Sequence, residues 1–210
     1  MTAHYLSYFI DEHTPAYGGK QGLIQLVKDR SIGKGDTTNE LKLILPNHIG
    51  THIDFPYHFY NEGKKCSDYP AEYWIFNKVG FLSCSLDEVP SKITALPGDI
   101  ELLLLKTGFG KKRLENEYWT SQPVIPSHLA KLFRQHFPLL RVFGFDMISM
   151  TSKLDREEGT RAHLAFLVEN DILILEDMNL GALQEQPSRV IISPLLVAGA
   201  DGVPCTVIAF

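Results

Sequence analysis

Cysteine is scarce in this chain of 210 residues, and neither a long apolar run nor an extended basic tract is present. The three cysteines, Cys66, Cys84 and Cys205, are widely spaced and form no CxxC pair, which excludes a disulfide framework and a zinc ribbon. A reduced, cytoplasmic setting is therefore expected. The densest apolar run, residues 102–105, is far too short to span a bilayer, so no membrane partner is expected.

Basic and targeting patterns are equally sparse. The net charge is −5, and the basic triplet at residues 111–113 follows Gly110 as a solvated turn would, so no nucleic-acid partner is expected. The first residues show no basic segment followed by an apolar run, and we expect no signal peptide. Residues 33–37 lack the G-x-x-x-x-G-K-[ST] spacing of a phosphate loop, which favours a hairpin turn.

The composition is that of an ordinary globular protein, with 44% hydrophobic and 21% charged residues. The length, without repeats or linkers, predicts one domain over residues 1–210. Apolar runs predict strands, and residues 100–107 form a run continuous enough for a sheet that is covered on both faces. The predicted strands are residues 5–10, 41–45, 79–86, 100–107, 141–145, 172–175, 189–192 and 206–210.

Two helices are predicted between these strands. Ser127 can cap a helix that runs to about His136, and Thr160 can cap a second one that runs to Val168. Residues 24–28 fit a short helix or a strand equally well. The whole pattern predicts an α/β fold, in which a mixed sheet core carries several short helices.

The most informative stretch is residues 47–60, which read N-H-I-G-T-H-I-D-F-P-Y-H-F-Y. Alternate side chains of an extended chain share one face, so a strand here would gather polar groups on one side. These polar groups are His48, His52, Asp54 and His58. The other side would carry the apolar residues Ile49, Ile53, Phe55 and Tyr57. A helix would separate Asp54 from the nearer histidines, and Pro56 would break it, so we predict an extended strand.

Imidazoles and carboxylates together are the usual ligands of borderline divalent metals. His48, His52 and Asp54 would fill part of a coordination sphere and leave positions open, which is typical of a catalytic rather than a structural site. Gly50 lies on the same predicted face and would leave room for a metal or a substrate. The alternative is a polar edge strand whose histidines are satisfied by their neighbours.

The pattern H-x-G-T-H-x-D-x-P-x-H resembles the signature of the cyclase-like metal-dependent hydrolases, a family that includes bacterial kynurenine formamidases and isatin hydrolases. The fixed positions of the motif are all matched, by His48, Gly50, Thr51, His52, Asp54, Pro56 and His58. The resemblance implies a swivelling β/β/α fold and hydrolysis of an amide, a cyclic amide or an ester. It also implies a small-molecule substrate and a homodimer or homotetramer.

The resemblance further implies a second half of the site. In the family a helix-borne histidine and a glutamate about a dozen residues later bind a metal, and the matching residues here are His163 and Glu176. Asp54 would then bridge two ions, and the implied cofactor is Zn²⁺ or Mn²⁺, with one ion or two. From residue chemistry alone, His163 would be a satisfied core histidine, and Glu169 and Asp177 would compete with Glu176.

Three more residues carry predicted roles. A divalent metal lowers the pKa of bound water to roughly 7, and a nearby base then accepts and returns a proton. His58 lies beyond the predicted ligands on the same face and is assigned this proton-shuttling role. Tyr17 matches a family aromatic near the substrate and would line the pocket, unless it is only a surface aromatic. Asp146 would support the site from behind its ligands or would cap a loop. Residues 199–204 resemble the closing Gly-x-Asp-Gly-x-Pro turn of the family.

Two other functions are consistent with the ligand types. A non-haem iron oxygenase also uses two histidines and a carboxylate. A non-catalytic metal-binding or ligand-binding protein could keep the same scaffold. His58 favours an enzyme, because it is not needed merely to hold a metal.

Overall fold

The computed structural model describes residues 2–210, and most of its strands join one mixed sheet. In chain order the strands are β1 His4–Tyr5, β2 Gln25–Arg30, β3 Glu40–Ile44, β4 His52–Asp54, β5 Ile75–Phe76, β6 Val79–Ser83, β7 Leu102–Lys106, β8 Val142–Phe145, β9 Leu173–Glu176, β10 Val190–Pro194 and β11 Gly202–Ala209. The helices are α1 Val89–Lys92, α2 Glu117–Thr120, α3 His128–His136 and α4 Arg156–His163, which continues as a π-helical segment, Leu164–Glu169. No helix of residues 2–210 is long and apolar enough to cross a membrane.

The order of strands in the large sheet is β5-β10-β11-β4-β9-β8-β7-β6, with β1 also paired to β11. Strands β6 to β9 run parallel to one another, and the remaining pairs are antiparallel. The short strand β4 therefore lies in the interior of the sheet, between β11 and β9. Strands β2 and β3 form a separate two-stranded ribbon.

The core lies on both faces of the parallel strands. Residues 102–105 of β7 and all of β8 and β9 are buried. On one face, Phe133 of α3 and Phe166 of the π-helical segment pack against Phe143, with ring centroids 5.1 and 5.3 Å apart. This packing explains why these strands read as continuous apolar runs rather than as alternating patterns.

The predicted α/β class with a mixed sheet is confirmed. The predicted strands from residue 41 onward appear as β3 and β6 to β11, with bounds that differ by one or a few residues. Residues 24–28, which fitted a helix or a strand, belong mostly to β2. Residues 33–37 lie in the turn of the β2–β3 ribbon, as predicted, with Gly35 in the left-handed region at φ +97°.

Two predicted boundaries are wrong. The strand predicted at residues 5–10 is only β1, because the chain then leaves the sheet and the N–H of Tyr8 donates to Thr51 Oγ1. Helix α4 is capped by Asp155, whose carboxylate accepts from the N–H of Glu158 at 2.9 Å. Thr160 lies inside the helix instead, since its hydroxyl donates back to the carbonyl of Arg156.

Candidate active site

The stretch at residues 47–60 is a short strand between two turns, and the prediction of one extended strand is wrong. Only His52 and Asp54 project from β4 as predicted. His48 precedes Gly50, which has a left-handed backbone at φ +60°, and His58 ends a 3₁₀ turn, Pro56–His58. The turns nevertheless bring His48 and His58 to the same side as the strand residues.

Gly50 is required by its backbone and not by space for a ligand. A Cβ atom added there would meet Ile10 at 3.4 Å and Thr14 at 3.6 Å rather than the imidazoles. Its positive φ is the conformation that residues with a side chain rarely adopt. The predicted role of Gly50 in leaving room between His48 and His52 is therefore wrong.

Strand pairing supplies the second half of the site. In the β4–β9 register, His52 lies opposite Glu176, the last residue of β9. On the other side of β4, Gly202 lies opposite Asp54. Helix α4 ends at His163, whose imidazole completes the group. The five predicted ligands therefore meet in one place, although the first three lie more than a hundred positions before the other two.

The distances within this group are short, and all of its side chains except the partly exposed His48 are buried. Asp54 Oδ1 lies 2.8 Å from His48 Nδ1 and 3.5 Å from His52 Nε2, and Asp54 Oδ2 lies 3.7 Å from His163 Nε2. Glu176 lies 3.4 Å from His52 Nε2 and 3.7 Å from His163 Nε2. Asp54 and Glu176 are only 1% and 2% exposed. We call His48, His52, Asp54, His163 and Glu176 the ligand cluster.

Each imidazole of the ligand cluster is fixed by a hydrogen bond at the nitrogen that points away from the cluster. The carbonyl of Gly50 accepts from His52 Nδ1 at 2.8 Å, and the carbonyl of Gly159 accepts from His163 Nδ1 at 2.8 Å. The nitrogen of His48 that points away from Asp54, Nε2, donates to Asp201 Oδ2 at 2.9 Å. Metal-binding histidines are typically fixed in this way, so that one nitrogen faces the ion. The donor set of nitrogen and oxygen atoms therefore fits a divalent cation such as zinc or manganese.

The electrostatics of the ligand cluster also fit a cation. Burial alone would raise the pKa of Asp54, but the neighbouring imidazoles of His163 and His48 outweigh it and hold this pKa well below its usual range. Burial alone would lower the pKa of His52, but the hydrogen bond with Glu176 and the charge of Asp54 raise it to about 9. The buried carboxylates thus hold positive charge beside them, which a bound cation would supply in place of protons.

Glu176 is the carboxylate that faces the cluster, and its two competitors do not. The N–H of Met150 and the hydroxyl of Ser149 both donate to Glu176 Oε1. Asp177 points elsewhere, where it accepts from Arg113 at 2.7 Å and from the hydroxyl of Tyr118 at 2.6 Å. Glu169 is exposed at the end of the π-helical segment.

His58 lies at the rim of the cluster. Its ring packs against the ring of His48 with centroids 4.1 Å apart, and its Nδ1 lies 2.8 Å from Asp201 Oδ2. The side chain is 29% exposed, similar to His48 at 24% and in contrast to the buried His52, Asp54, His163 and Glu176. Within residues 2–210 its second nitrogen, Nε2, has no hydrogen-bond partner, which leaves this atom available at the cavity.

The ligand cluster and His58 line a cavity of about 280 Å³. Its other walls are mainly apolar and include Tyr17, Ile49, Phe59 and Ile148. Tyr17 lies on the wall, which agrees with the first of its two alternatives, and its buried hydroxyl has no partner in residues 2–210. Phe59 stacks on His163, with centroids 4.3 Å apart and planes 16° apart.

Asp146 caps a loop. Its carboxylate accepts from the N–H and hydroxyl of Thr107 at 2.8 and 2.6 Å and from the N–H of Gly108 at 2.9 Å. It does not line the cavity. Of the two alternatives for Asp146, these contacts favour the loop cap.

Comparison with known proteins identifies the family. The model of the Cyclase family matches residues 5–152. The chain belongs to the Cyclase family. The kynurenine formamidase of Bacillus thuringiensis (strain Al Hakam) is 30% identical over 171 residues, which cover 80% of this chain and 78% of that protein. The resemblance inferred from the histidine motif is confirmed.

Two solved structures share the fold of this Cyclase-family chain. Isatin hydrolase A from Labrenzia aggregata, bound to benzyl benzoate, has a TM-score of 0.82 at 18% identity, over 99% of this chain and 93% of that one. A predicted metal-dependent hydrolase from Bacillus stearothermophilus has a TM-score of 0.74 at 18% identity, over 99% and 97%. At these identities the likeness concerns the fold.

Sequence reasoning missed several residues of the site in this Cyclase-family protein. Asp201 contacts both His48 and His58, and its only signal was the closing Gly-x-Asp-Gly-x-Pro turn. The sequence predicts a solvated turn at Arg113, but its side chain is only 11% exposed and binds Asp177, so this prediction is wrong. Phe59 directly follows His58, and nothing in the pattern indicated that it would pack on His163.

Proposed function

We propose that this Cyclase-family protein is a divalent-metal-dependent hydrolase of aryl amides, either linear formamides or cyclic amides. The observation that carries this proposal is the ligand cluster, where three imidazoles fixed from behind turn their other nitrogens toward two buried carboxylates. A group of this composition beside a solvent-accessible cavity is typical of a catalytic metal site.

The ligand cluster would hold one Zn²⁺ or Mn²⁺ ion, or two ions that share Asp54. When bound, the cation would lower the pKa of its water to about 7 and would polarise a substrate carbonyl. Asp54 offers its two oxygens to different imidazoles, Oδ1 toward His48 and His52 and Oδ2 toward His163. This division supports a bridging role for Asp54.

His58 would move the proton. Its Nδ1 is engaged by Asp201, so Nε2 is the nitrogen that can accept a proton from the attacking water. The same atom can then donate that proton to the leaving nitrogen of the amide. The partial exposure of the ring at the cavity rim supports this role, because water and substrate could both reach the atom there.

The cavity supports a small, flat, apolar substrate. Its volume of about 280 Å³ is at the lower end of the range for ligand pockets. Ile49, Phe59 and Ile148 would pack against an aromatic ring, while the ligand cluster would face the amide. The names of the relatives support the same class, because kynurenine formamidase and isatin hydrolase are named for a linear and a cyclic aryl amide.

The ligand cluster also bears on the alternative functions. It contains three imidazoles and two carboxylates, which exceeds the two histidines and one carboxylate of a facial iron triad. A non-catalytic binding protein would not need His58 at the cavity rim. No observation favours either alternative over the hydrolase.

The test is a hydrolysis screen with the purified protein loaded with zinc or manganese. An aryl formamide, isatin and a small aryl lactone would be assayed before and after removal of metal by a chelator. We expect hydrolysis of at least one amide, its loss with the chelator and its return when metal is added back. Metal-loaded protein that hydrolyses none of these compounds would contradict the proposal.

Two variants sharpen this screen. His58→Ala should keep its metal but lower kcat by roughly 10²- to 10⁴-fold, since the proton transfer is lost. His128→Ala is the matched control, because His128 is an exposed histidine at the start of α3. Full activity of His58→Ala would remove His58 from the mechanism.

A further inference from the structure

Asp201 occupies an unusual position beside the ligand cluster. Its Oδ2 atom lies 2.9 Å from His48 Nε2 and 2.8 Å from His58 Nδ1, so one oxygen is shared by two imidazoles. Its other oxygen accepts from the side-chain amide of Asn47 at 2.6 Å. The two imidazoles that share it have different assigned roles, one as a metal ligand and one as the proton shuttle.

The position of Asp201 is fixed by the backbone around it. Its carbonyl accepts from the N–H of Phe55 at 2.9 Å, directly after β4. The next residue, Gly202, lies opposite Asp54 in the β4–β11 pair. A Cβ atom at Gly202 would overlap the His48 ring, so glycine is needed there for the close approach of strand and imidazole. The carboxylate is therefore anchored to the strand that carries the central ligand.

These contacts determine which nitrogen of each ring carries hydrogen. A carboxylate only accepts, so the two nitrogens that face Asp201 are both N–H donors. His58 is left with Nε2 toward the cavity. His48 Nδ1 lies 2.8 Å from Asp54, where a cation would take the place of the proton. A carboxylate that fixes the tautomer of a catalytic imidazole serves the same purpose in hydrolytic triads on unrelated folds.

We propose that Asp201 is a positioning residue that fixes the tautomer and orientation of His48 and His58 together, and so joins metal binding to proton transfer. The inference rests on the proposed function for the role of each imidazole. A purely structural role, closing the turn before β11, would explain the contact with Asn47 but would not require contacts with both rings.

The first test measures kinetics and metal affinity. Asp201→Asn should lower kcat roughly 10- to 100-fold with little change in KM, because the amide can donate to the rings and disturb the tautomers. Asp201→Ala should weaken zinc binding, measured by competition with a chelator, by about 10- to 100-fold through loss of the partner of His48. Asp87→Asn, an exposed aspartate without side-chain hydrogen bonds in the described residues, is the matched control.

The second test separates positioning from a general loss of stability. If Asp201 acts on the proton step through His58, then Asp201→Asn in a His58→Ala background should lower kcat by less than about 2-fold further, because effects of residues in one unit do not add. A double variant whose loss equals the product of the single losses would overturn the proposal. So would a single variant with kcat and zinc affinity within about 2-fold of the wild type.

A third measurement does not depend on activity. Long-range ¹H–¹⁵N spectra of the wild-type protein with zinc present, recorded at a pH where the spectrum itself shows a neutral ring, report the tautomer of His58. We expect the Nδ1–H form, and the Nε2–H form would overturn the inference even if the variants fail to fold. Failure of the proposed function would show differently, as a wild type without hydrolytic activity whose His58 tautomer is still Nδ1–H.

Discussion

Asp54 is the residue on which the ligand cluster depends most. Its two oxygens face different imidazoles, and its side chain is almost fully buried. The Asp54→Asn substitution keeps the shape of the side chain but removes the charge. We expect metal content to fall at least about 10-fold while the far-UV circular dichroism spectrum is unchanged, since the cation loses its central anionic ligand.

The measurement for Asp54→Asn is elemental analysis of the purified variant beside the wild type. Asp99→Asn is a suitable control, because Asp99 is exposed and pairs only with Lys78 in the described residues. Normal metal content in the Asp54 variant would show that the ion, if bound, lies elsewhere.

Arg113 is a second residue with a defined contribution. Its guanidinium is 11% exposed and lies 2.7 Å from the carboxylate of Asp177, which is almost fully buried next to Glu176. The Arg113→Ala substitution would leave a buried carboxylate without its cationic partner. We expect the free energy of unfolding to fall by about 3 to 5 kcal/mol in urea denaturation.

The control for this prediction is Arg161→Ala. Arg161 is half-exposed and pairs with Glu157 and Glu158 along α4. Surface pairs of this kind contribute about 0 to 1 kcal/mol. Equal losses of stability in the two variants would mean that the Arg113–Asp177 pair contributes no more than a surface ion pair.

At the scale of the element, the polar side chains of residues 48–58 are positioned by the short strand β4 and by the turns on either side of it. The left-handed backbone at Gly50 lets His48 fold back over β4, and Pro56 starts the turn that carries His58. The Gly50→Ala substitution would strain this turn by about 1 to 2 kcal/mol and press the new Cβ against Ile10.

We expect Gly50→Ala to lower the melting temperature modestly and to weaken zinc binding more than it weakens the fold, because His48 shifts while β4 stays paired. Gly18→Ala is the matched control: Gly18 also has a positive φ, +81°, but lies in a different loop with no atoms near a Cβ. A Gly50 variant with unchanged zinc affinity would show that His48 does not depend on this turn.

The strands also show which contacts of the site could be predicted from the sequence. The spacing of His52 and Asp54 follows from the two-residue period of a strand, so their shared side could be predicted without the fold. The partnership of His52 with Glu176 depends on the β4–β9 register, which joins residues more than a hundred positions apart. Only the family resemblance pointed to it.

Contacts that depend on turns were not predictable from periodicity. The strand prediction puts His58 on the same side as His52 and Asp54. The side is correct, but a 3₁₀ turn rather than a strand brings His58 there. Asp201 is 143 positions from His58 and has no periodic signal. Arg113 follows two lysines, and a basic triplet in sequence gives no sign that its third member is buried.

At the scale of the whole molecule, the β2–β3 ribbon stands apart from the large sheet. Val27, Leu41, Leu43 and Ile44 are 42% to 59% exposed on it. An isolated two-stranded hairpin is marginally stable in water, and a cluster of exposed apolar residues typically marks an interface. The homodimer or homotetramer implied by the family resemblance stays a prediction, and this ribbon is the surface on which we base it.

The ribbon is self-complementary in charge. Glu40 and Lys42 flank Leu41 on β3. Two antiparallel β3 strands related by a two-fold axis at Leu41 would place Glu40 opposite Lys42 of the partner subunit. We therefore expect Leu41→Lys, which puts like charges together at the axis, to be monomeric in light scattering after gel filtration. Leu154→Lys, an exposed leucine outside the ribbon, should leave the assembly unchanged, and a monomeric wild type would contradict the prediction.

The central claim is that the ligand cluster binds a divalent cation. Anomalous diffraction from crystals of the zinc-loaded protein, recorded on both sides of the zinc absorption edge, tests it most directly. The account predicts an anomalous peak at about 2.0 to 2.2 Å from His52 Nε2 and from a carboxylate oxygen of Asp54. Crystals that contain zinc but show no peak within reach of Asp54 would contradict it.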